Sequence, residues 1–170
     1  YDGIQFTYMS PSSFTDDMLS YAMDKLRIIS GFYGVLRPLD GIVPYRLEME
    51  SKININGKGD LYSFWGKSLA EEVGRGESLV VNLASEEYSK AVIPHLEKHM
   101  EVVTPLFLEE VDGSYVTKGV YAKMARGEMV RFLSENNVED REGIKEFSVR
   151  GYRYDEAISS SNKMAFVRKG

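Results

Sequence analysis

Apolar residues recur along this chain at several spacings, and each spacing predicts a different element. Met18, Leu19, Ala22, Leu26 and Ile29 fall at helical intervals behind Thr15, Asp16 and Asp17. A capping hydroxyl followed by two carboxylates at the positive end of the dipole marks a helix start, and Gly31 marks its left-handed end. Asp60 is expected to cap a second helix carrying Leu61, Phe64, Trp65, Leu69 and Val73, which stops at Gly74. The compact apolar run over 78–84 predicts a buried strand, after which Ser85 caps a short helix ending before Pro94. Val111-Asp112-Gly113 reads as a hairpin turn between 101–110 and 114–120. A helix over 121–136 places Tyr121, Ala125, Met129, Phe132 and Leu133 on one face, and a shorter helical turn follows over 140–147. Segments 151–155 and 164–168 close the chain as strands. This mixture predicts an α+β fold, a single compact domain over 1–170 with a mixed sheet flanked by helices. No internal repeat, low-complexity segment or linker interrupts it.

One stretch, 28–49, departs from simple periodicity. It combines Gly31 and Gly34 with Pro38 and Pro44, and carries Arg37, Arg46, Asp40, Glu48, Tyr33 and Tyr45. The glycines permit positive φ or close backbone approach, while each proline fixes its own φ and pushes the residue before it towards extended backbone. A loop this stiff holds polar side chains at defined angles, as a binding or catalytic loop must. The plainer alternative is a rigid connector in which Arg37 and Asp40 pair with each other.

Composition narrows the function classes. At 170 residues, 43% hydrophobic and 28% charged, the chain has the make-up of one ordinary globular domain. It has no cysteine, which excludes disulfides, thiolate catalysis and cysteine-ligated metal clusters, and which fits a reducing cytosol. No apolar run approaches membrane-spanning length and no signal-peptide pattern opens the chain. The net charge of −5 argues against wholesale coating of nucleic acid, whose affinity comes largely from phosphate neutralisation, though it leaves room for a local basic patch. The chain opens with Tyr1-Asp2-Gly3 rather than methionine, so it is expected to be a fragment or the ordered part of something longer.

Candidate chemistry falls into four groups. Lys118, Lys123, Arg126 and Arg131 crowd one region opposed by Glu128, and Lys123 and Arg126, three apart, are neighbours on one helical face. Such a pair can clamp a phosphate or carboxylate; the alternative is a solvated helix face. Asp40, Glu48 and Asp155 are candidates for acid–base work or hard-metal binding, against simple pairing with Arg37, Arg46 or Arg153. His95 and His99 are four apart but lack a third ligand and the HExxH pattern, so surface histidines are expected there and no metal site or cofactor. Ser85, at the carboxyl end of a predicted strand, sits where α/β proteins place ligands, although as a helix cap it needs no further role. No GxGxxG, Walker loop or nucleophile elbow is present.

Six blocks together carry a resemblance. They are Ser30-Gly31-Phe32-Tyr33-Gly34-Val35-Leu36-Arg37-Pro38-Leu39-Asp40, Pro44-Tyr45-Arg46-Leu47-Glu48-Met49, Leu61-Tyr62-Ser63-Phe64-Trp65-Gly66, Val81-Asn82-Leu83-Ala84-Ser85-Glu86-Glu87-Tyr88, Tyr121-Ala122-Lys123-Met124-Ala125-Arg126-Gly127 and Gly151-Tyr152-Arg153-Tyr154-Asp155. In that order they resemble the YaaA family of bacterial peroxide stress proteins, matching all but the family's N-terminal portion. The resemblance implies a cytoplasmic protein that protects cells from hydrogen peroxide by limiting unincorporated iron and DNA damage, with DNA as a partner. It also implies a helix-hairpin-helix element near residues 15–40, which would grip nucleic-acid backbone through amides of the glycine hairpin. If the N-terminal portion is missing, the sheet should present an unpaired edge or a substitute cover.

Two functions follow as expectations. The first is stress protection by non-specific binding of DNA, or another phosphate-bearing ligand, in a basic cleft drawing on Gly31, Tyr33, Gly34, Arg37, Tyr45, Arg46, Ser85, Lys123 and Arg126. The second is an enzyme acting on a small anionic, nucleotide-like substrate with Asp40, Glu48 or Asp155 as acid or base. Iron binding by carboxylates with His95 or His99 ranks below both. The residues alone leave open whether any catalysis occurs and what the oligomeric state is.

Overall fold

A computed structural model describes residues 1–170. In chain order the elements are α1 (Ile4–Met9), α2 (Asp16–Lys25), β1 (Ile28–Ser30), β2 (Gly34–Leu36), α3 (Leu61–Trp65), α4 (Ser68–Val73), β3 (Leu79–Val81), α5 (Glu86–Ser89), β4 (Glu101–Val111), β5 (Ser114–Val116), α6 (Gly119–Glu135), α7 (Arg141–Lys145), β6 (Arg153–Tyr154) and β7 (Lys163–Lys169). The fold is α+β. The chain divides into two packed units, one formed by 1–24 with 103–170 and the other by 25–102.

The first unit is built on a mixed sheet. β4 runs parallel to β7, with Thr104 opposite Lys163 and Glu110 opposite Lys169, and β6 lies antiparallel on the other side of β7. β5 folds back on β4 through Asp112 and Gly113, whose φ values of 50° and 73° suit the two-residue turn that matches strand twist. Along β4, Val103, Pro105, Phe107 and Glu109 are buried in alternation, as a half-buried strand requires. Phe107 meets Phe147, Tyr152 and Phe166 with ring centroids 5.7, 5.4 and 5.7 Å apart. Met129 and Leu133 of α6, Ile144 of α7 and Met164 of β7 are buried with them. α1 lies backbone to backbone on α6 at Gly127, where a Cβ would fall 2.0 Å from the Gln5 carbonyl oxygen.

The second unit packs around Met49, Leu61, Leu69, Ala70, Ala91 and Val92. Here the expected pattern needs correction. The helix predicted to run to Gly31 ends at Lys25, and β1 and β2 instead pair antiparallel with Ile28 opposite Leu36. The element near 15–40 is therefore a helix followed by a β-hairpin, where a helix-hairpin-helix was expected. Ile28 and Ile29 are β-branched and favour the strand. Gly34, with φ at 80°, lies so close to Trp65 that a Cβ would sit 3.0 Å from its ring. The predicted helix over 61–73 is split into α3 and α4 at Gly66, whose φ of 54° breaks helical geometry. The strand predicted over 78–84 is confined to β3. No helix is long and apolar enough to cross a membrane.

Candidate nucleic-acid interface

The hairpin of the second unit is organised by one buried hydroxyl. Ser30, 1% exposed, ends β1, and its Oγ accepts the backbone N–H groups of Phe32 and Tyr33 at 3.1 and 2.9 Å. The same oxygen shares a 2.6 Å hydrogen bond with the Tyr45 hydroxyl. Tyr33 Oη accepts the Val43 N–H at 3.0 Å, so the residues before and after Pro44 are both tied to the turn. From below, Trp65 Nε1 donates to the Gly31 carbonyl at 3.0 Å. Three rings gather as a result. Phe32 stacks on Tyr45 with centroids 5.4 Å apart, and Tyr33 meets Phe32 and Tyr45 edge-on at 4.8 and 5.5 Å. Such geometries suit the quadrupoles of the rings.

Arg37 lies between Tyr33 and Tyr45 in sequence and Arg46 follows Tyr45, and both arginines are exposed. The Arg37–Asp40 pairing exists, but it is made by the backbone: the Arg37 N–H donates to Asp40 Oδ2 at 2.7 Å and leaves the guanidinium unengaged. Asp40 thus closes its own loop. Glu48 is exposed and its carboxylate has no hydrogen-bond partner. Nearby Tyr88 has its hydroxyl pKa raised, by burial first and then by the charges of Glu87, Tyr45 and Glu48. Ser85 holds the N-cap position of α5, where its carbonyl accepts the N–H groups of Tyr88 and Ser89. Its hydroxyl makes no capping bond.

Lys123 and Arg126 belong to the first unit, one turn apart on α6. Lys123 is exposed and Arg126 half-buried, and burial lowers the Arg126 pKa. The chain has ten arginines. Seven have acceptors: Arg27 on the Leu26 carbonyl, Arg75 on Glu72, Arg131 on Ser13, Arg141 on the Ser160 and Ser161 carbonyls, Arg150 on Glu128, Arg153 on the Ser148 carbonyl and Arg168 on Glu109. The three without one are Arg37, Arg46 and Arg126. The predicted anion-binding residues therefore divide between the units, with Gly31, Tyr33, Gly34, Arg37, Tyr45, Arg46 and Ser85 in one and Lys123 and Arg126 in the other.

Asp155, also in the first unit, spends Oδ1 on the Ala157 N–H at 2.9 Å and caps a short turn. His95 and His99 are exposed, with His99 3.3 Å from Glu97. Sequence reasoning missed Glu109, and it named Glu128 only as a charge opposing the α6 cations; these are the two buried carboxylates. Glu109 is held by Lys118 and Arg168, and Glu128 by Arg150, whose guanidinium lies 4.8 Å from the centre of the Tyr8 ring. The alternation of β4 was the available signal, since it puts Glu109 in register with Val103 and Phe107. Phe32 was missed as well, although it stands between two residues that were named.

A family model described as peroxide stress protein YaaA matches residues 1–158. A UPF0246 protein of Limosilactobacillus reuteri is 47% identical over 166 residues, covering 98% of this chain and 67% of its own length. Another from Desulfitobacterium hafniense is 47% identical over 168 residues, with 99% and 67% covered. One from Agathobacter rectalis is 46% identical over 169 residues, with 99% and 68% covered. The chain spans about two thirds of the length of these relatives.

Proposed function

The chain belongs to the YaaA family of peroxide stress proteins, and on that premise we propose that it protects DNA in the cytoplasm by binding phosphate-bearing nucleic acid with little sequence preference. The observation that supports this reading is that Arg37, Arg46 and Arg126 have no acceptor while every other arginine does. A guanidinium without an acceptor offers its whole planar fork to a phosphate, and a half-buried one such as Arg126 regains on binding what burial has cost it. Lys123 adds a point charge beside it. Contacts of this kind position a polyanion without reading bases.

Protection follows from charge neutralisation. Ferrous iron held by DNA phosphates generates oxidants at the strand when peroxide arrives. A phosphate already neutralised by a protein cation has released its counterions and retains less iron. A second reading, an enzyme on a small nucleotide-like anion, rests on Glu48, whose carboxylate is unengaged; Asp40 and Asp155 are each committed to a backbone N–H.

Fluorescence anisotropy of a labelled duplex tests the proposal. Binding should weaken as salt rises, and the doubles Arg37→Ala with Arg46→Ala and Lys123→Ala with Arg126→Ala should each weaken it alike on unrelated sequences. Affinity that ignores salt, or that survives both pairs, refutes it. A nucleotide that raises the melting temperature of the wild type but not of Glu48→Gln would favour the enzyme.

A further inference from the structure

We infer that the Phe32–Tyr33–Tyr45 cluster is a stacking platform for an unpaired nucleobase, so that the hairpin of the second unit takes single-stranded in preference to fully paired nucleic acid. This deepens the nucleic-acid reading above and rests on it. Phe32 is 53% exposed at the tip of a hairpin, more than any other phenylalanine, tyrosine or tryptophan of the chain. One side of that ring is backed by Tyr45 and its edge region by Tyr33, and the remainder is open.

The platform is rigid before any ligand arrives. Ser30 Oγ fixes the turn and Tyr45, Tyr33 is bonded to the Val43 amide, and Trp65 holds the Gly31 carbonyl. Little conformational freedom is left to lose on binding. Leu39 and Val43, 66% and 63% exposed, extend the apolar character of the same loop. The unengaged guanidiniums of Arg37 and Arg46 supply the charge complementary to a sugar–phosphate strand, since Asp40 is occupied with the Arg37 amide. An open aromatic face with cations on the same segment is the combination that binds single strands: bases stack, phosphates pair, and sequence matters little. In a duplex the base faces are covered by their neighbours and Phe32 has nothing to stack on.

Anisotropy with three labelled probes of equal length tests this: oligo(dT), an abasic strand and a duplex. Wild type should bind oligo(dT) more tightly than the abasic strand. Phe32→Ala should lose about 5- to 150-fold on oligo(dT), the range for one base–aromatic stack, and nothing on the abasic strand or duplex. Phe32→Trp should restore binding, and unchanged Trp65 emission in Phe32→Ala would show the hairpin intact. If salt-dependent binding is equal for all three probes and indifferent to Phe32→Ala, the stacking inference fails while the phosphate reading stands. If nothing binds in a salt-dependent way, both fail. A dimer in sedimentation that Phe32→Ala dissociates would assign this surface to a second copy of the chain and overturn the inference.

Discussion

Replacing Glu109 by glutamine should be among the costliest conservative changes in this protein. Glu109 is 1% exposed and stands directly opposite Arg168 in the parallel register of β4 and β7. Arg168 Nε donates to Oε1 at 3.0 Å, and Lys118 Nζ approaches Oε2 at 2.6 Å. The Arg168 guanidinium lies 4.3 Å from the Tyr121 ring centre and 5.0 Å from that of Tyr152, which leaves it no alternative in solvent. Glu109→Gln keeps the shape and removes the charge, so two cations face each other around a neutral amide. Stranding a buried charge costs about 3–5 kcal/mol. At roughly 2–4 °C per kcal/mol for a chain of this size, melting should fall by about 6–20 °C. Lys118 is half exposed, so Lys118→Ala should cost only about 1 kcal/mol. The pH dependence has a definite sign. The Lys118 hydrogen bond, opposed by burial and aided by Arg168, holds the Glu109 pKa below the usual carboxylate value. Its contribution is complete above the ordinary carboxylate value of the unfolded chain and is lost as pH falls through the lowered folded value. Glu109→Gln should therefore flatten the acid limb of the stability profile. Thermal melts, and urea unfolding of the three proteins at neutral and acid pH, measure these effects. A Glu109→Gln unfolding free energy within about 1 kcal/mol of wild type, or a larger loss in Lys118→Ala, would refute the reasoning.

Two other substitutions probe the scaffold. Gly127→Ala gains about 1 kcal/mol of helix propensity, but its methyl would meet the Gln5 carbonyl at 2.0 Å and force α1 away. The net loss should be about 1–3 kcal/mol in urea unfolding, whereas Gly119→Ala, with nothing within 4 Å, should be close to neutral. Ser30→Ala takes the acceptor away from the Phe32 and Tyr33 amides, and should cost about 2–4 kcal/mol. Its signature should be altered emission from Trp65, the chain's sole tryptophan, which is bonded to the same turn.

The parts of this fold that could be read from the chain are those set by local physics. The helical period of 121–136 found α6, and Asp112-Gly113 found the β4–β5 turn, because both signals are carried by consecutive residues. The β1–β2 hairpin was hidden, since Leu26 and Ile29 continue the helical spacing of α2 and what overrides it is a distant Trp65 ring under Gly34. The unengaged arginines were found by residue type, but their lack of acceptors depends on where every carboxylate points. Asp40 illustrates this: its carboxylate is taken by the Arg37 amide and not by the Arg37 side chain. Glu109 was legible in principle from strand alternation, yet its partner Arg168 is 59 residues away in sequence.

The claim on which the function rests is that Arg37, Arg46, Lys123 and Arg126 meet phosphates. The slope of log affinity against log salt counts such contacts most directly, at about 0.9 per phosphate on duplex and about 0.7 on single strands. The account predicts a negative slope for wild type that becomes shallower by roughly that increment for each of the four cations that contacts a phosphate, with the Phe32→Ala slope unchanged. A wild-type slope near zero, or one that the loss of all four leaves as it was, would contradict it.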